Sequence, residues 1–539
     1  GQPVTAAIPR VGVGADRLKR GHRHWISGVS VLEIRYPVMT RKGLQEEVLR
    51  VLGQGQRHLF SERSDGIRVV SVDLRTLRED VERSEIGELL AARLLTPFSA
   101  SGDPDPLREL LVGYGMRLVT EGVSDLLRDF GGMAHRLRFG PEYFVLRKVR
   151  ALTSIYPPLW RVFWWASTEH YDASALRRVV ENLNPALDRA VEDGIVTRDH
   201  ASGSLRIPVS ERALRSGSVA KTTRALAGRL QAFLRAGASG IALPRIVLEE
   251  MAEGGWEGLG MRDPESLLTV MTDLGPSRID DDSDVVDLIT RSLRVERSSV
   301  RVSRIGKAFN STYLIEVEVD GDRRTLFLKR YLAWNSVKWV AAKLWAFPLR
   351  NFHVSPAMRL SNELFFMDYL REREIPTPRV IHVSWRRKLM VRQAVRGSSA
   401  MDVWTSNRSS GSEAERVARE CGRLIARVHR EGVVVGDCKA DNVVVDESGR
   451  LWLVDLEQAS LSGDRSWDLA EFVLFACRYL EPATAERFAE SFAGGYLELG
   501  DEGVVRRALD PKYVLVMMPW SPIWTQMAAI DGLKRALRA

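Results

Sequence analysis

Apolar and polar positions change period several times along the 539-residue chain, and each change predicts a different kind of element. VSVLEIRY (29–36) and IRVVSVDL (67–74) alternate, which predicts half-buried strands, whereas EIGELLAARLL (85–95) has helical spacing. An α/β N-terminal domain is therefore expected over residues 1–150. Over 151–215 come an aromatic helix (PPLWRVFWWAS), ASALRRVVE, NPALDRAVEDGIVTRD and the short ribbon SGSLRIPVS. Helix, helix, longer helix and hairpin is the outline of a winged helix, with Arg189 and Arg198 on the third helix and Arg206 in the wing. Residues 216–297 read as a helical segment that loosens into an acidic linker, LGPSRIDDDSDVVD.

From residue 298 the pattern becomes strand, turn, strand, turn, strand. VRVSRIGKAFNSTYLIEVEVDGDRRTLFLKRYL places Gly306 at the first turn and Asp320-Gly321 at the second. In the third strand Phe327 and Lys329 share one face, Leu326 and Leu328 the other. SPAMRLSNELFFMDYLRERE predicts a helix with Ser355 as N-cap and Pro356 at its first position. Glu363 falls on the apolar stripe of Leu360, Leu364 and Met367. A carboxylate facing a core is costly unless paired, and Lys329 is the natural partner.

Further on, NVVV (442–445) and LWLV (451–454) flank Asp446-Glu447-Ser448-Gly449 and predict a hairpin, with Val445 opposite Arg450 and Asn442 near Leu453. Asn442 and Asp455 then share the open end of the hairpin, and Asp437 lies in the loop leading into it. Two carboxylates and an amide oxygen at one end suit a hard divalent cation carrying phosphate oxygens.

Strand lysine, helix glutamate, Asp-x-Lys-x-x-Asn before a hairpin and Asp just after it occur in that order within about 130 residues. In this, residues 298–539 resemble the protein-kinase-like superfamily, nearer its compact branch of RIO kinases, the kinase of the KEOPS complex and aminoglycoside-type phosphotransferases. The resemblance implies an α+β fold with two lobes, 298–395 and 396–539, and the use of ATP and magnesium. It implies that Gly306 lies over the ATP phosphates, that Lys329 holds the α and β phosphates and that Glu363 orients Lys329. Met390 to Val395 would be the hinge at the adenine, with Gln393 and Val395 as its contacts. Asp437 would be the base for the acceptor hydroxyl, Lys439 would touch the γ-phosphate, and Asn442 and Asp455 would bind the metal. Asp468 would cap the following helix and brace the catalytic loop.

Departures from the family pattern are Val435 in place of a histidine, Asp455-Leu456-Glu457 in place of Asp-Phe-Gly, and a single glycine in the phosphate loop. The 12 residues between Asp455 and Asp468 leave no room for a long activation loop or a standard peptide platform. The expected acceptor is a Ser/Thr hydroxyl of a protein. One alternative is a RIO-type kinase or ATPase acting on RNA or a ribosomal particle through 151–215 or 333–354. Another is a pseudokinase-like scaffold that only binds ATP. The insertion AWNSVKWVAAKLWAFPLRNFHV (333–354) is either a basic-aromatic face for RNA or anionic membrane, or a helix capping the N-lobe with its tryptophans inward.

Composition refines this picture. At 45% hydrophobic and 27% charged residues the chain has globular proportions, which excludes a disordered tail, a collagen-like fibre and a coiled-coil rod. The net charge of +8 is unevenly placed: residues 1–300 carry 42 basic and 40 acidic groups, 301–410 carry 20 and 9, and 411–539 carry 16 and 21. The excess therefore sits in the nucleotide-side lobe and its insertion. Three cysteines make no disulfide framework, and a cytoplasmic setting is expected. Tyr513 to Ile530 is uncharged for 18 residues, but Pro519, Pro522 and Gln526 break it, so a buried terminal helix and turn is expected there instead of a membrane span. Asp280, Asp281, Asp282 and Asp284 read as caps or a solvated linker, and His22 and His24 as a solvated arm.

Overall fold

The computed structural model describes residues 29–53, 59–199, 201–209, 243–254, 256–305, 312–319, 321–332, 352–406 and 411–539. Gly306, His22, His24 and residues 333–351 of the insertion lie outside them. In the N-terminal region β1 (Ser30–Thr40), β2 (Gly43–Leu52), β3 (Leu59–Ser64), β4 (Ile67–Asp73) and, after α1 (Leu74–Arg83), β5 (Ser99–Gly102) form one sheet. Its order is β3-β4-β2-β1-β5, with β2 and β4 parallel. The helix predicted over 85–95 is not formed. Asp80, buried on α1, accepts the backbone N–H groups of Ile86, Glu88, Leu90 and Ala91. Gly87 and Glu88 take φ of 73° and 66°, so the run becomes a turn followed by a 3₁₀ segment.

Helix α2 (Pro104–Phe130) ties this region to the rest of the molecule. Leu110, Tyr114 and Leu118 sit in the N-terminal core, while Val119, Leu126 and Phe130 belong to the core of the C-terminal domain. Next come β6 (Leu137–Arg138), α3 (Glu142–Ile155), α4 (Ala173–Glu192), β7 (Thr197–Arg198) and β8 (Leu205–Arg206). The helix boundaries expected over this stretch shift, while the closing hairpin forms: β7 pairs with β8, and Leu205 of β8 bridges Phe139. The aromatic segment forms two 3₁₀ turns, Pro157–Arg161 and Trp164–Ala166, and the two helices expected after it are one, α4. Pro185 lies inside α4, where it removes a backbone donor, yet Val179, Leu183, Ala186, Leu187 and Ala190 form an unbroken buried stripe through it.

The segment expected to be a linker is also packed. After α5 (Leu243–Glu253), strands β9 (Thr269–Thr272) and β10 (Gly275–Arg278) pair with each other, and β9 pairs with β6. Helix α6 (Val285–Leu293) buries Val285 and Ile289 against Ile315, Val317, Leu328 and Val391 of the following sheet. The acidic run serves its surroundings: Asp280 pairs with Arg278, Asp282 and Asp284 with Arg387, and Asp284 caps α6.

The C-terminal domain is α+β with two lobes. Its first sheet runs β11-β12-β13-β15-β14, from β11 (Val300–Ile305), β12 (Thr312–Val319), β13 (Asp322–Arg330), β14 (Val380–Ser384) and β15 (Leu389–Gln393), with α7 (Pro356–Arg371) between β13 and β14 in the chain. The second lobe holds β16 (Gly397–Ser399), α8 (Ala400–Thr405), α9 (Gly411–Arg430), β17 (Val443–Asp446), β18 (Leu451–Leu453), α10 (Arg465–Ala476), α11 (Pro482–Leu497), α12 (Glu502–Ala508), α13 (Pro511–Met517) and α14 (Ile523–Ala536). Among the described residues no helix is long and apolar enough to cross a membrane. The stretch 513–530 is helix, turn, helix, but only one face of it is buried: Leu515, Trp520 and Trp524 are among its exposed residues.

Candidate functional site

Strand β13 sets Phe327 and Lys329 on one face and Leu328 on the other, where Leu328 packs beneath α6. Phe327 and Lys329 point into a cleft of about 360 Å³, whose far side is Asn442, Val444, Val454 and Asp455. Arg392 and the backbone turn at Ala394 and Val395 close a third side. Gln393 sits elsewhere: it ends β15, exposed, with its N–H bonded to the Arg379 carbonyl at 2.8 Å, and does not line the cleft.

Helix α7 begins at Ser355 and Pro356 and presents Leu360, Leu364 and Met367 to the core, with Glu363 fully buried among them. Lys329 Nζ donates to Glu363 Oε2 at 2.6 Å and lies 3.1 Å from Asp455 Oδ1 and 3.2 Å from Glu457 Oε2. The Tyr331 hydroxyl also donates to Glu363 Oε2, at 2.6 Å, and Arg359 lies 3.5 Å from Glu457. Three carboxylates thus converge within ligand distance of one another around one ammonium. Burial works against the Lys329 charge, but Asp455, Glu363 and Glu457 outweigh it and hold the ammonium above its ordinary range. Burial pushes the Glu363 carboxyl up to about 7 despite Lys329, and Glu457 is raised for the same reason. Glu363 Oε1 is buried with no hydrogen-bond partner.

The hairpin β17–β18 is one residue out of the expected register. Val443 pairs with Leu453 and Val445 with Leu451, and Asp446 N–H bonds the Arg450 carbonyl at 3.0 Å. Gly449, at φ 82°, closes a three-residue loop instead of a four-residue one. The Asp446 carboxylate accepts from Ser448 N–H, Arg450 N–H and Trp452 Nε1, which fixes the slip. Asn442 nevertheless stays at the open end, where its carbonyl accepts from Val454 N–H beside Asp455.

The loop ahead of Asn442 is held from behind by α10. Asp468, fully buried, accepts Val435 N–H at 2.6 Å and Gly436 N–H at 2.8 Å, and His429 Nε2 lies 3.0 Å from it. Asp468 does not cap α10; Asp464 does, accepting from Ser466 N–H. Glu471 accepts from Cys438 N–H and Trp467 Nε1 and lies 3.6 Å from Lys439 Nζ. Lys439 donates to Asp437, and Asn442 Nδ2 donates to the Asp437 carbonyl at 2.9 Å. Burial pushes Glu471 up to about 8, Lys439 pulling the other way.

The structure therefore brings Lys329, Glu363 and Asp455 into one cluster and Asp437, Lys439 and Asn442 into another, with Asn442 and Asp455 both on the wall of the cleft. The sequence reading missed Tyr331, Glu457, Glu471 and His429. Tyr331 was visible in principle, two residues after Lys329 on the same strand face. His429 supplies, from the end of α9, an imidazole beside Asp468 that the loop itself lacks.

Comparison with known proteins agrees with this geometry. The lipopolysaccharide kinase (Kdo/WaaP) family matches residues 315–496. A probable serine/threonine-protein kinase BUD32 homolog of Archaeoglobus fulgidus is 28% identical over 152 residues, 28% of this chain and 72% of that protein. A 3-deoxy-D-manno-octulosonic acid kinase of Stenotrophomonas maltophilia is 35% identical over 102 residues, 18% of this chain and 39% of the relative. Its counterpart in Xylella fastidiosa strain M23 is 30% identical over 91 residues, 16% and 35%. The chain thus spans well under half the length of these two sugar-acid kinases. Lys329, Glu363, Asn442, Asp455 and Asp468 all fall within the matched span, and the C-terminal domain of this chain belongs to the protein-kinase-like superfamily of phosphotransferases, in its atypical branch.

Proposed function

We propose that the protein transfers the γ-phosphoryl group of ATP, with magnesium, to an alcohol hydroxyl. The observation that carries this is that two clusters, Lys329 with Glu363 and Asp455 and Asp437 with Lys439 and Asn442, each reach one cleft, through Lys329 and Asp455 in the first and Asn442 in the second. The donor set fits a hard cation: Asp455 offers a carboxylate, and Asn442, whose amide nitrogen is engaged, offers its oxygen. A bound magnesium would neutralise phosphate oxygens there. Lys329 would hold the α and β phosphates, and Ala394 and Val395 would border the adenine. Asp437 would take the hydroxyl proton as the acceptor oxygen bonds phosphorus and the bond to the β-phosphate oxygen breaks, with Lys439 offsetting charge at the γ-phosphate.

As acceptor we favour a sugar hydroxyl. Residues 456–464 fold as a tight turn against β-bridged Val434 and Ser460, leaving no extended peptide platform, and the matched family and two relatives are named for sugar-acid or lipopolysaccharide substrates. A Ser/Thr hydroxyl is the second reading, favoured by Lys439 and by the archaeal relative. Incubation of the full chain with γ-labelled ATP, magnesium and separate glycolipid, protein and RNA pools is the test. Label should appear in one pool and fall about 10²–10⁴-fold in Asp437→Asn and in Asp455→Ala. ATP binding without transfer or turnover would instead identify a nucleotide-binding scaffold, and transfer that survives both substitutions would refute the assignment.

A further inference from the structure

The last two helices meet at a corner that the described fold leaves uncovered on one side. Tyr513, Met517, Gln526, Ala529 and Ile530 are buried against the second lobe. The opposite face shows Leu515, Met518, Trp520, Ile523, Trp524 and Met527, each between 46% and 67% exposed. Singly scattered apolar residues are ordinary on a protein surface, but six large ones on a helix–turn–helix with no charge between 513 and 530 are not.

The corner packs on the end of α10 and, through Phe475, approaches Lys439 of the loop ahead of Asn442. Ser521 Oγ, in the turn, is 3.5 Å from the Phe475 carbonyl, and Cys477 Sγ is 3.5 Å from the Thr525 carbonyl. Phe475 in turn carries Lys439 Nζ 4.7 Å from its ring centroid. Tyr479, two residues after Cys477, is 47% exposed, with the Arg478 guanidinium 5.4 Å from its ring centroid. Arg478 has no carboxylate partner among the described residues.

We propose that this corner docks on an anionic lipid surface, with Trp520 and Trp524 at the headgroup level and Arg478 against lipid phosphate. Two tryptophans beside aliphatic side chains are the composition that membrane–water interfaces select, and an uncompensated guanidinium at the rim is complementary to negative headgroups. A protein partner of standard size engages about 20–30 residues a side, more than this corner offers, whereas a lipid surface needs only a few inserted side chains. The proposal extends the hydroxyl-acceptor reading and rests on it for one consequence, that the acceptor is the head of a molecule anchored in the surface; docking itself is measured apart from transfer.

The full chain is floated with vesicles of phosphatidylcholine alone and of phosphatidylcholine with about one third phosphatidylglycerol. Wild-type protein should float with the anionic vesicles and bind them about fivefold more tightly than the neutral ones, roughly the effect of one basic contact. Trp520→Ser with Trp524→Ser should lose roughly tenfold or more, and Arg478→Gln about fivefold on anionic vesicles only. Quenching of tryptophan fluorescence by brominated acyl chains checks insertion in the unmodified protein. No flotation of the wild type, equal flotation of the double variant, or a dimer in sedimentation velocity that the double variant abolishes overturns the proposal. Flotation that persists in Asp437→Asn while transfer is lost keeps the two assignments separate, and transfer without flotation removes only the docking.

Discussion

Helix α7 carries Glu363, and the N-terminal region grips that helix directly, so a substitution far from the cleft should disturb it. Ser361 Oγ donates to the Phe130 carbonyl at 2.6 Å and accepts Met133 N–H at 2.9 Å, with Ser361 fully buried. Phe130 ends α2, where a carbonyl has no partner within its own helix. Arg136 pairs with Asp368 on the same helix, and Gly132 sits so close to Phe365 that an added Cβ would lie 2.6 Å from it. Ser361→Ala removes the buried hydroxyl that bonds both the Phe130 carbonyl and the Met133 N–H. At about 1–3 kcal/mol for each group left unsatisfied, the expected loss of stability is roughly 2–4 kcal/mol. Denaturant unfolding of the full chain reads that loss, and titration with ATP and magnesium reads its effect on the site. Binding should weaken along with stability, because the helix that presents Glu363 to Lys329 loses its anchor. A destabilisation below about 0.5 kcal/mol, the size of an ordinary surface change, would refute the idea that the N-terminal region holds α7 in place.

Two further outcomes follow from the buried acids. Glu363 and Glu471 are raised to about 7 and about 8, so the folded state binds protons that the unfolded chain has already released. Their contribution is full below the ordinary glutamate value of 4.5 and is lost progressively as pH rises to about 7 and about 8, so the melting temperature should fall over that span and level off above it; Glu471→Gln should flatten the fall, and an unchanged slope would show that Glu471 is not protonated in the fold. Asp468→Asn presents an amide N–H₂ where Val435 N–H, Gly436 N–H and His429 now converge, and should cost about 2–4 kcal/mol of stability and slow turnover more than it weakens ATP binding; a variant with wild-type turnover would show that the loop needs no brace.

What could be read from the chain was what a short range of residues encodes. Glu363 stood out because a carboxylate interrupted an apolar stripe, and Lys329 because its strand neighbours alternated; both clues are local, and their pairing followed from cost alone. Asp437, Asn442 and Asp455 were likewise marked by a hairpin whose existence the sequence announces. Its register was missed by one residue because Gly449 adopts a left-handed conformation that shortens the loop, a choice that the bonds to Asp446 settle. The remaining misses are tertiary. Helix α4 continues through Pro185 because its buried stripe outweighs a lost donor, and residues 85–95 do not form a helix because a carboxylate on a different helix takes their N–H groups. Nothing in the local pattern of β9, β10 and α6 says that they pack on a sheet that begins after them in the chain.

The charges gathered around Lys329 bear on the magnesium requirement proposed above. Glu363, Asp455 and Glu457 face Lys329, Arg359 and Arg392, three acids against three bases, and one of the acids, Glu363, has an oxygen that is buried and unbonded. Phosphate groups entering the cleft add negative charge to the side where Asp455 already stands, and Lys329 cannot serve them and three carboxylates together. Proton uptake by Glu363 relieves part of this, since its carboxyl is raised toward neutrality, but Asp455 lies on the open wall of the cleft and remains. A divalent cation held by Asp455 and Asn442 would offset that added negative charge and would leave Lys329 to the nucleotide. Glu457 then keeps Arg359 as its partner, which explains how an acid two residues after the metal-side aspartate is tolerated where the wider family pattern has glycine.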